Sequence, residues 1–108
     1  MFNKDNKVLF VDDQEEVLLL LEKTLKDENY TKIFANSAAE ALDILKNDQI
    51  DVIVTDMVMP QMNGLQLLKI IKEEYPYVVR VVLSGFSQVP SILSAINSGD
   101  IYRFLTKP

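Results

Sequence analysis

Asp51-Val52-Ile53-Val54-Thr55-Asp56-Met57-Val58-Met59-Pro60-Gln61-Met62-Asn63-Gly64 is the stretch that decides the fold. Asp51 to Thr55 reads as a strand, because a short apolar, β-branched run suits a strand covered on both faces. The run stops at Asp56. Pro60 and Gly64 punctuate the loop that follows, and Asn63 has the side chain of a helix N-cap. Leu65, Leu68 and Ile71 then share one face of a helix that ends before Pro76.

The same order recurs on either side. Lys7-Val8-Leu9-Phe10-Val11 is an apolar run ended by Asp12-Asp13. From Gln14 to about Glu28 the pattern turns helical, with Val17, Leu18, Leu21 and Leu25 on one face, and Asp12 or Asp13, with Glu16, as its start. Thr31 to Asn36 is a second strand. Ser37 and Glu40 make a capping box before the helical face Ala38, Ala41, Leu42 and Leu45. Val78 to Leu83 is a fourth strand, broken by Ser84-Gly85. Ser87 to Ser98 is a fourth helix, with Ile92, Leu93 and Ile96 inward and Gly99 as C-cap. Ile101 to Thr106 is a fifth strand. The result is (βα)₄β: an α/β domain with a parallel sheet covered on both faces and right-handed crossovers. Ligands of such sheets sit beyond the carboxyl ends of the strands, where strand order reverses.

Composition narrows the chemistry. The 108 residues are 48% apolar and 25% charged, enough for one core. Cysteine and histidine are both absent. Disulfides and the usual zinc, haem and iron–sulfur ligands are therefore excluded, as are Ser-His and Cys-His nucleophiles. The net charge is −5 with no basic run, which argues against direct nucleic-acid or anionic-membrane binding. No apolar run approaches the roughly 20 residues that span a bilayer, and the start does not read as a secretory signal. A soluble cytoplasmic domain is expected.

Asp12 and Asp13 follow the first strand, Asp56 the third, Ser84 the fourth and Lys107 the fifth. Each has an ordinary use when taken singly: a helix cap, a turn, a solvated lysine. Together they aim three carboxylates, a hydroxyl and an ammonium at one sheet edge. Clustered carboxylates repel and demand a cation, and an all-oxygen set suits Mg²⁺. The ammonium and hydroxyl can hold phosphoryl oxygens, and one carboxylate can act as nucleophile to give an acyl phosphate. Met57, Met59 and Met62 read as packing.

These pieces, in this order, resemble the receiver domain of two-component response regulators across the whole chain: Asp12-Asp13, Asp56 through Gly64, Ser84-Gly85 and Lys107-Pro108. The resemblance implies a flavodoxin-like five-stranded sheet of order 2-1-3-4-5. It implies Asp56 as phosphoacceptor from a sensor histidine kinase or phosphotransfer protein. Mg²⁺ would be held by Asp12, Asp13, Asp56 and the main-chain carbonyl of Val58. Ser84 would bond a phosphoryl oxygen, and Lys107 would pair with Asp56 at rest, aimed by a cis bond to Pro108. Phe104 occupies the switch-aromatic position, with Tyr102 as a competing surface contact. Val58 and Phe86 would flank the pocket, as these positions do in the family, and set the lifetime of the phosphorylated state. The output would be a domain or downstream protein reading the repacked face of the fourth helix and fifth strand, with a homodimer as a further candidate. Such a module is no enzyme beyond its own phosphorylation and dephosphorylation.

Three alternatives have their own signatures. A degenerate receiver acting as a constitutive binding module would lack part of the acidic set, which is complete here. A Mg²⁺-dependent phosphohydrolase of the haloacid dehalogenase type would carry a second Asp where Val58 stands. A flavodoxin would need a hydroxyl-rich phosphate loop in place of Asp12-Asp13. The family continues past Lys107-Pro108 into a fifth helix, so residues 1–108 are expected to be a receiver truncated before that helix, with part of the sheet and the Leu18–Leu21 stretch left uncovered.

Overall fold

Apolar alternation sorts the side chains of each strand onto two faces, and both faces are used. In the computed structural model, which describes residues 4–84 and 89–106, five strands and four helices alternate along the chain. The strands are β1 (Lys7–Val11), β2 (Thr31–Ala35), β3 (Val52–Asp56), β4 (Val79–Ser84) and β5 (Arg103–Thr106). They form one parallel sheet of order β2-β1-β3-β4-β5. The helices are α1 (Glu15–Thr24), α2 (Ala38–Asn47), α3 (Gly64–Glu74) and α4 (Val89–Asn97).

Leu9, Val11, Ile53 and Val82 face α2, α3 and α4, where they bury against Ala41, Leu45, Leu67, Leu68, Ile71 and Ala95. Val8, Phe10, Val52 and Val81 face the other way, toward Leu18, Leu21 and Leu25 on and just after α1. Phe10 and Phe34 stack there with centroids 5.5 Å apart. Beside α1, the strand residues Val8, Phe10, Val52, Val54, Leu83 and Leu105 line an open apolar groove of about 300 Å³. No helix among the described residues is long and apolar enough to cross a membrane.

The structure corrects several local readings. The first helix ends at Thr24 rather than near Glu28, although Leu25 continues its apolar spacing. Its N-cap is Gln14, which makes no side-chain cap bond, so neither Asp13 nor a box with Glu16 starts it. The second helix has half the expected box: Ser37 accepts from the Glu40 amide, but the Glu40 carboxylate bonds the Asn36 amide. In α3 Leu67 is fully buried, while Leu65 is only partly so. Leu93 on α4 points to solvent, 50% exposed, not inward. Ala95 takes the buried place instead.

The amino edge of the sheet, opposite the candidate site, is tied by side chains. Lys72 of α3 reaches the Ser98 carbonyl at 2.9 Å and Asp100 Oδ1 at 3.1 Å. Arg80 of β4 donates to the carbonyls of Asp100 and Val78 at 2.9 and 3.0 Å. The end of α4 and the approach to β5 are thus latched to α3 and β4. Burial acts to raise the Asp100 carboxyl, but bonds from Lys72 and Ser98 outweigh it and hold the group below its ordinary value. On β1, the Lys7 ammonium beside Asp48 likewise holds that carboxyl low.

Candidate functional site: an acidic cluster at the carboxyl edge

Parallel pairing brings residues distant in sequence to one edge. Val11 of β1 pairs with Thr55 of β3, so the next residues, Asp12 and Asp56, leave the sheet side by side. Asp12, Asp13 and Asp56 each offer a carboxylate oxygen, and these oxygens lie within 4.8 Å of one another. Asp12 and Asp56 are 1% and 6% exposed, whereas Asp13 faces solvent. Two carboxylates held this close with little water repel strongly unless a positive charge joins them.

Asp12 has two duties. Its Oδ1 accepts the Gln14 amide at 2.9 Å, tying the carboxylate to the chain entering α1. Asp12 thus holds the turn that leads into α1 and belongs to the carboxylate cluster at once.

The turn after Asp56 is held from the α3 side. Asn63 accepts the Gln66 amide at 2.8 Å and the Gln66 side chain accepts the Asn63 amide at 2.9 Å, a complete capping box. Gly64 donates its amide to the Met57 carbonyl at 2.8 Å. Met57 and Met59 are buried beneath the loop, as packing. Val58, 61% exposed, projects outward next to Asp56. Gln61 takes a left-handed conformation, φ 69°, to complete the loop.

Ser84 ends β4 and pairs with Thr106 of β5, one residue past the Asp56–Leu83 pair, so its main chain lies at the same edge. Phe104 pairs with Val82. Tyr102, 67% exposed, precedes β5. Phe86, Lys107 and the Lys107-Pro108 bond lie outside the described residues. Thr55 and Gly64 also stand at this turn, marked in the sequence only by a lone hydroxyl in an apolar strand and by a loop glycine.

The donor set fits a hard divalent cation such as Mg²⁺: oxygen ligands only, two of the three carboxylates buried, one open to solvent for waters or a phosphoryl oxygen.

A family model for the response regulator receiver domain matches residues 8–108. The hydrogenase transcriptional regulatory protein HoxA of Cupriavidus necator is 35% identical over all 108 residues, and the chain spans only 22% of its length. The signal receiver domain of an HD domain-containing protein from Pseudomonas fluorescens Pf-5 superposes with a TM-score of 0.88 at 39% identity, over 95% of this chain and 82% of that one. The response regulator TrrA of Thermotoga maritima, solved in complex with Mg²⁺-BeF, superposes with a TM-score of 0.84 at 25% identity, over 95% and 87%. The fold, the acidic edge and these likenesses agree: the chain belongs to the response regulator receiver domains of two-component systems.

Proposed function

We propose that this receiver is switched by phosphorylation of Asp56 with Mg²⁺ in the cluster, in the cytoplasm. The observation that carries the reading is the convergence of Asp12, Asp13 and Asp56 within 4.8 Å at the carboxyl edge. Asp12, Asp13, Asp56 and the Val58 carbonyl would hold the cation. When bound, Mg²⁺ supplies neutralising charge for the carboxylates and for the transferring phosphoryl oxygens.

A carboxylate oxygen of Asp56 attacks phosphorus of a phosphohistidine on a sensor kinase or phosphotransfer protein. The P–N bond breaks, the donor imidazole takes back its electron pair, and an aspartyl phosphate remains on Asp56. Lys107 pairs with the carboxylate before transfer and with phosphoryl oxygens after it. The added charge and acceptor oxygens draw the Ser84 hydroxyl inward. Phe104 then fills the space vacated, and the α4–β5 face repacks. An output domain, a downstream protein or a second copy that prefers the repacked face shifts the equilibrium by its differential affinity. Val58 and Phe86 offer no hydrogen bond to an attacking water and so prolong the phosphorylated state. The receiver performs no other catalysis.

The test is Mg²⁺ dependence. Acetyl phosphate with Mg²⁺ should add one phosphoryl group, mapped to Asp56 by peptide mass spectrometry, and a chelator should prevent it. An unmodified chain under both conditions would favour a constitutive protein-binding module.

A further inference from the structure

We propose that Thr55 is a positioning residue for the phosphoacceptor turn. Its hydroxyl, together with Gly64, fixes the main chain from which Asp56 and Val58 present their oxygens. The proposal rests on Asp56 as phosphoacceptor and extends it to a residue outside the carboxylate cluster.

Thr55 is fully buried, and the strand residues before it, Val52, Ile53 and Val54, are all apolar. A hydroxyl in such a place is costly unless bonded. Thr55 Oγ1 donates to the main-chain oxygen of Asp56 at 3.1 Å. That oxygen also faces Gly64, where a Cβ would stand 2.2 Å from it. The Gly64 amide in turn donates to the Met57 oxygen at 2.8 Å. Two successive carbonyls, those of Asp56 and Met57, are therefore engaged, the first by the strand hydroxyl and the second by the first residue of α3. Each peptide group is planar, so engaging these two oxygens orients the Asp56–Met57 and Met57–Val58 peptide groups, the segment from which the Val58 carbonyl follows. The Asp56 side chain springs from the same segment. Outer partners that orient ligands in this way tune metal affinity without touching the metal.

An ordinary buried threonine would stabilise the fold and do nothing more. The two roles separate when Thr55→Val, which keeps the shape and removes the hydroxyl, is compared with Thr55→Ser, which keeps the hydroxyl. Two quantities are read on the whole chain: Mg²⁺ affinity from amide shifts in an NMR titration, and the acetyl phosphate labelling rate at saturating Mg²⁺. Thr55→Val is expected to bind Mg²⁺ about tenfold more weakly and to label more slowly, with Thr55→Ser close to wild type in both. Thr55→Ala replaces Thr55→Val if the latter does not fold, with the same expectation. A folded variant without the hydroxyl that keeps wild-type Mg²⁺ affinity and labelling rate overturns the proposal, as does a Thr55→Ser variant as impaired as Thr55→Val. Labelling of wild type that survives Asp56→Asn would instead remove the phosphoacceptor reading beneath it.

Discussion

Gly64 stands against the main-chain oxygen of Asp56, with only 2.2 Å between that oxygen and the place a Cβ would occupy. The contact joins the end of the central strand to the start of α3, so it couples the candidate site to the core. Gly64→Ala must push α3 away from the turn. We expect a loss of about 2 kcal/mol, in the range of overpacking in a dense interior. Urea unfolding should show a lower midpoint, and an unchanged midpoint would mean that the turn yields freely.

Asn63 starts α3 with both halves of a capping box, whereas Ser37 starts α2 with one. Asn63→Ala should therefore destabilise more than Ser37→Ala. The first should cost about 1–2 kcal/mol and the second nearer 0.5–1 kcal/mol, with similar denaturant slopes. Equal losses would show that the Gln66 side-chain bond, which Asn63→Ala leaves on the main-chain amide, does not strengthen the Asn63 cap.

The Asp100 latch predicts an acid-side effect. Its carboxyl lies below the ordinary value in the folded chain, so the folded state favours the ionised form. The stabilisation is then fully present above the unfolded value of about 3.9 and is lost as pH falls through the folded value. Asp100→Asn should flatten the stability curve below about pH 4, and at neutral pH it should lower stability slightly by weakening the Lys72 contact. Melting temperatures across that range test this; parallel curves for variant and wild type would contradict it.

Val58, two residues after Asp56, is exposed and its side chain carries no polar group. With Mg²⁺ saturating, Val58→Asn should speed loss of the phosphoryl group by about tenfold, the worth of one hydrogen bond to the attacking water. Loss is followed as the decay of the phosphorylated mass after the donor is removed. Equal decay in both proteins would rule out this role for position 58.

How far residues alone carried the structure depended on what each signal encodes. The β3–α3 stretch was legible because a buried strand, an N-cap and a proline stop are all local features. Strand order is not local, and it came from the resemblance to receivers rather than from periodicity. Leu93 reads as inward from its spacing but stands at the edge of the apolar arc of Val89–Asn97, beside Asn97, and the helix turns its other edge, with Ala95, toward the core. Asp12, Asp13 and Asp56 were readable as strand-end residues. The bond from Thr55 to the Asp56 carbonyl and the close approach of Gly64 to the same oxygen were not, because they depend on main-chain geometry across the turn.

The most direct measurement is the intact mass of wild type and Asp56→Asn, treated side by side with acetyl phosphate and Mg²⁺. One added phosphoryl group is expected on the wild type and none on the variant, with both proteins folded. An equal gain on Asp56→Asn would place the acceptor on another residue and overturn the assignment of Asp56.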